Sequence, residues 1–158
     1  MRSLSVALIA LLCSASAFAS DVKLVRVWPG YRTADSFMRI SEYFTGKENP
    51  GRKQILLRTH PEDRSGFYFL TRVANSGTAF DDAKFELHVI SPRSPKEATF
   101  TFNAHVPHGE NVFQVGLTGA DWPVATEHPV AWRLALLAPD GKELASEQSF
   151  LWSKPDRS

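Results

Sequence analysis

The chain predicts an all-β protein, a single seven-stranded antiparallel sandwich with an N-terminal strand and a short helix packed on it. Three observations predict this. Residues 53–152 alternate apolar and polar side chains in short runs, the pattern of strands with one buried and one wetted face. Turn peptides separate the runs, notably Asn75-Ser76-Gly77 and Asp140-Gly141. Asp-Gly is a strong tight-hairpin signal because both central residues must tolerate positive φ. Eleven Phe and four Trp among 158 residues supply bulky apolar surface for a core, which argues against disorder.

Residues 1–19 read as an export signal. Met1-Arg2 gives a positive start, Leu4 to Leu12 is a short apolar run, and Ala17-Phe18-Ala19 is an A-x-A cleavage pattern, so the mature chain is expected to begin at Ser20. The apolar run is about half the ~20 residues that a membrane-spanning helix needs. An uncut anchor is the alternative, but the small residues at 14–19 suit a peptidase better. The expected location is the periplasm or the exterior, with no transmembrane segment left after cleavage. Cys13 is the only cysteine. Leu12 precedes it where a lipoprotein signal would place a small residue, so lipidation is disfavoured. Cleavage removes Cys13, leaving a domain without disulfides or thiolate sites. Losing Arg2 from the 18 basic residues balances them against the 17 acidic ones, and that balance favours neither nucleic acid nor an anionic membrane.

Residues 20–52 are expected to form a strand–helix extension. Lys23 to Trp28 is rich in β-branched and aromatic residues, and Trp28-Pro29-Gly30 is expected to end that strand. Phe37, Ile40 and Phe44 then recur at helical spacing. This predicts a short helix near 34–45, with Thr33 or Asp35 as N-cap and Gly46 at the C-terminal cap. Residues 47–52 read as a polar Pro-Gly loop.

Seven strands follow in 53–152. The first is Gln54 to Thr59. The second, Phe67 to Asn75, sets Phe67, Phe69 and Val73 on one face. In the third, Lys84 to Ile90, Phe85, Leu87 and Val89 alternate with Lys84, Glu86 and His88. The fourth carries Phe100 and Phe102, and the fifth Phe113, Val115 and Leu117. The sixth, Val130 to Ala138, aligns Val130, Trp132, Leu134 and Leu136. The seventh runs from about Glu143 to Trp152, and 153–158 is a tail. Seven strands in about 100 residues, ending in a hairpin, resemble an immunoglobulin-like or fibronectin-III-like sandwich. The resemblance covers 53–152, is one of architecture, and lacks the paired cysteines of antibody domains. It implies a fold that presents loops and edges for binding and names no activity.

No catalytic motif stands out. The chain has no G-x-S-x-G elbow, no P-loop and no G-x-G-x-x-G, so neither enzyme activity nor a cofactor is expected. His105 and His108 form an H-x-x-H pair, and His128 lies in a later loop. Three imidazoles could make an open metal site, although solvated loop histidines explain them more simply. Trp28, Tyr31 and Trp122 flank Pro or Gly turns, where aromatic rings can stack on sugars or anchor a partner. Burial at the ends of the sandwich is the plain alternative for Trp28 and Trp122. The segment 28–43 adds Arg32, Asp35, Arg39 and Glu42, and Arg and Tyr are enriched at binding surfaces. Arg39 and Glu42 also fit a surface i, i+3 ion pair. The expected binding set is therefore Trp28, Tyr31, Arg32, Asp35, Arg39, Glu42 and Trp122. The leading expectation is an exported, non-catalytic module for a protein or glycan partner. A carbohydrate-binding accessory domain comes second, and a small metal-dependent enzyme third.

Overall fold

The computed structural model describes residues 21–37 and 54–153. The export signal, the predicted helix beyond Phe37 with Arg39 and Glu42, and the last five residues lie outside the described residues.

Eight strands build the fold: β1 (Val22–Arg32), β2 (Gln54–Arg58), β3 (Gly66–Asn75), β4 (Phe80–Ser91), β5 (Ser94–Val106), β6 (Gly109–Thr118), β7 (Ala131–Leu137) and β8 (Glu143–Gln148). They form two four-stranded sheets, ordered β1-β3-β6-β2 and β5-β4-β7-β8. The fold is the all-β sandwich that the alternation predicts.

Placement differs from expectation in several details. The N-terminal strand does not pack on the sandwich from outside. It pairs with β3 along its whole length, from Val22↔Asn75 to Arg32↔Gly66, as an edge strand of the first sheet. It also runs straight through Pro29-Gly30, because an edge strand tolerates a proline whose missing N–H would point away from its neighbour. β2 pairs in parallel with β6, from Gln54↔Val112 to Arg58↔Gly116, so the first sheet is mixed rather than wholly antiparallel. Between the first two strands, the described residues hold one 3-10 turn, Ala34–Phe37. Among the described residues, neither Thr33 nor Asp35 makes a capping side-chain hydrogen bond to it. The Ser65 hydroxyl accepts from the Ala34 N–H at 3.0 Å instead. Val130 precedes β7 and stands 47% exposed, with its N–H donating to the Ile90 carbonyl at 2.8 Å.

The core lies between the sheets. The predicted inward sets Phe67/Phe69/Val73, Phe85/Leu87/Val89, Phe113/Val115/Leu117 and Trp132/Leu134/Leu136 are all buried there. Each large side chain contributes about 1.5–3 kcal/mol by leaving water. The predicted hairpin at Asp140-Gly141 closes as expected. Gly141 sits at φ 84°, and the Ala138 N–H donates to the Lys142 carbonyl at 2.8 Å. With a single cysteine, the chain forms no internal disulfide. Among the described residues, no helix is long and apolar enough to cross a membrane.

Candidate binding face of the first sheet

The pairing register lays out the outer face of the first sheet in rows. Arg26 stands beside Arg72, then Val112 and Gln54. Trp28 stands beside Leu70, then Gln114 and Leu56. Gly30 stands beside Tyr68, then Gly116 and Arg58. The two ends of this face differ.

One end is closed. Tyr68 and Gln114 are each 1% exposed although they point away from the core. The Tyr68 hydroxyl donates to the Arg64 carbonyl at 2.7 Å and accepts from Arg58 Nε at 2.8 Å. Burial pushes its titration above the ordinary value of 10.0, with Arg58 pulling the other way. Arg32 donates to Gln114 Oε1 at 2.6 Å, and the Gln114 amide in turn donates to Gln54. The Phe37 ring packs against Tyr68 at a tilt of 59°, with centroids 4.8 Å apart. The guanidinium carbons of Arg32 and Arg58 lie 4.9 and 5.2 Å from the Phe37 centroid.

The other end is open. Trp28 is 38% exposed, with the guanidinium carbons of Arg26 and Arg72 at 5.0 and 6.0 Å from its ring centroid. A groove of about 590 Å³ runs from Trp28 over Leu70 and Val112 to Gln54, with Arg72, Glu110 and Asn111 along it. Apolar floor and polar rim are the usual make-up of a ligand groove.

The expected binding residues are thus split among different surfaces. Trp28 belongs to the open groove. Arg32 is committed to the closed end. Asp35 is exposed on the 3-10 turn. Tyr31 packs partly against the core. Trp122 is a core residue at 2% exposure; its ring lies 5.2 Å from Phe67 and its indole N–H donates to the Glu127 carbonyl at 3.3 Å. Tyr31 and Trp122 meet at a second, open cleft of about 410 Å³ near Asp63 and Ser65.

The three histidines do not converge. His105 pairs with Asp81 at 2.9 Å, and His108 Nδ1 lies 2.9 Å from the Gly77 carbonyl. His128 instead packs edge-on against Phe67, which pairs with Leu117 at the far end of β6 from Gly109. A set that the sequence reading missed does come together beside the second cleft: His60, Glu62 and Asp63 offer one imidazole nitrogen and two carboxylates within 4.8 Å. His60 Nε2 also faces Asp121 at 3.2 Å. Glu62 and Asp63 are exposed. The one sequence signal for this set was the crowding of His60, Glu62 and Asp63 in a single turn; Asp121 is distant in sequence. Arg26 and Arg72 were also missed, because only the β1–β3 register makes them neighbours.

No protein-family model matches the chain, and a search of curated proteins finds no match. Fold and surface define a small β-sandwich with a polar-rimmed groove on the outer face of one sheet.

Proposed function

We propose that this protein is an exported, non-catalytic binding module that engages its ligand through the open end of the first sheet. The observation that carries the reading is Trp28. A large aromatic side chain stands 38% exposed on a regular strand, flanked by two guanidinium groups at the head of a groove. Structural economy would bury it, whereas exposed Trp and Arg together are the residues that dominate binding hot spots. The export signal read in residues 1–19 supports a role outside the cytoplasm. The two-sheet strand order supports the resemblance to an immunoglobulin-like or fibronectin-III-like sandwich.

A photo-cross-linking amino acid at position 70, on the groove floor, tests this in the native cell envelope. The expected result is a discrete adduct from position 70, absent when the same probe sits at position 101 on the second sheet. Equal adducts from both positions, or none from 70, would overturn the reading.

A further inference from the structure

We infer that the ligand of the open groove is an acidic polysaccharide, a chain of uronate sugars whose carboxylate is held by Arg26 and Arg72. This inference rests on the binding-module reading above and names the ligand class.

The first support is a pair of like charges on adjacent strands; the Arg26 charge also acts on the Glu147 carboxylate. Arg26 and Arg72 are direct cross-strand partners in the β1–β3 ladder. Like charges directly opposite one another destabilise a sheet. Neither arginine makes an ion pair among the described residues, and their shared neighbour is the Trp28 ring. A carboxylate placed between them would relieve the repulsion, and planar guanidinium groups are the side chains best matched to a carboxylate.

The second support is the groove beside this pair. Leu70 and Val112 give an apolar floor for the C–H face of a sugar ring. Gln54 and Glu110 supply an amide and a carboxylate on its rim, suited to vicinal hydroxyls, while the Asn111 amide donates to the Pro107 and Gly109 carbonyls. Among the described residues, Glu110 is the single acid along it. The volume of about 590 Å³ lies within the ordinary range for a small-ligand groove. An acidic peptide fits less well. Peptides add to sheets through backbone edges, and the strands that floor the groove, β3 and β6, are paired on both sides.

The test is calorimetric titration of the mature protein with a defined oligogalacturonate, its methyl-esterified form, a neutral glucan oligomer and poly-glutamate. Arg72→Gln, Arg26→Gln and Trp28→Ala are the variants, and Arg133→Gln on the second sheet is the control. Circular dichroism verifies that each variant is folded. The expected result is salt-sensitive binding of the oligogalacturonate that weakens about tenfold or more in Arg72→Gln, with no change in Arg133→Gln. Binding of the methyl ester as tight as the free acid would overturn the inference, as would equal binding of poly-glutamate. Neutral glucan binding that Trp28→Ala abolishes would overturn the uronate assignment and leave the binding module standing. No binding of any probe, together with no adduct from position 70, would remove both.

Discussion

The ring of Tyr68 fills the space that a side chain at Gly116 would need. A Cβ built on Gly116 lies within 2.8 Å of three carbons of that ring. Tyr68 cannot swing aside freely, because its hydroxyl is engaged by both Arg58 and Arg64. Gly116→Ala is therefore expected to destabilise the fold by roughly 1–3 kcal/mol, the usual cost of overpacking. Urea denaturation checks it, and an unchanged midpoint would contradict the packing described here.

Tyr68 also sets an alkaline limit. Tyr68→Phe leaves the Arg64 carbonyl and Arg58 Nε without this partner and is expected to cost about 1–3 kcal/mol near neutral pH. Burial raises the folded-state titration above 10.0. Above that pH the unfolded chain loses its proton first, so stability falls as pH climbs from the unfolded value through the folded one. Chemical denaturation across this window should show a steeper loss in the wild type than in Tyr68→Phe. Parallel curves would refute the assignment.

Thr118 holds the turn that starts at His60. Its buried hydroxyl accepts from the His60 N–H at 3.0 Å and donates to the His60 carbonyl at 2.9 Å. Thr118→Val leaves both backbone groups without that partner and is expected to cost about 1–3 kcal/mol. Thr118→Ser should recover most of it. Thermal unfolding gives the cost, and amide exchange at His60 locates it.

The two tryptophans should respond oppositely. Trp122→Ala removes a buried ring packed on Phe67 and is expected to cost about 3–5 kcal/mol. Trp28→Ala, on the surface, should stay within about 0.5 kcal/mol. Calorimetric melting of the two variants separates core from surface. A large loss in Trp28→Ala would show that Trp28 is structural.

On the acid side, Glu143 is held below its ordinary 4.5 by hydrogen bonds from Ser146 and Arg133. Its contribution is full above the unfolded value and is lost as pH falls through the lower folded one. Half-exposed pairs are screened by solvent, so Glu143→Gln should cost no more than about 1 kcal/mol at neutral pH. The difference from wild type should shrink below pH 4.5. Glu147 works in the opposite sense, because burial raises its titration and favours the fold at low pH. The stability difference between wild type and Glu143→Gln across the acid range tests the Glu143 assignment directly.

The strands were legible wherever one face meets the core. In β4 the buried residues are those that the alternation selects; in β6 and β7 it selects the inward residues, but outward Gln114, Gly116 and Ala135 are buried as well. The hairpin at Gly141 was legible because its positive φ demands a particular residue. What stayed hidden depends on distance along the chain. Nothing within Gln54–Arg58 states that its partner is Val112–Gly116, or that the two run parallel. The Pro-Gly signal after Trp28 misled because it is local, and an edge position overrides it. The same limit applies to the candidate face. Trp28 was visible as an aromatic, but its neighbours Arg72 and Leu70 came from the register. Trp122 looked equivalent until its burial separated the two.

The parallel docking of β2 against β6 also sets an order of assembly. The β4–β5 and β7–β8 pairs are close in sequence, whereas Gln54 must wait for Val112. Closing so long a loop is entropically slow. A polypeptide emerging N-terminus first from a ribosome or a translocation channel therefore holds β2 unpaired until Gly116 has followed. The wall of the groove that carries Gln54 is completed late, when most of the sandwich is already in place.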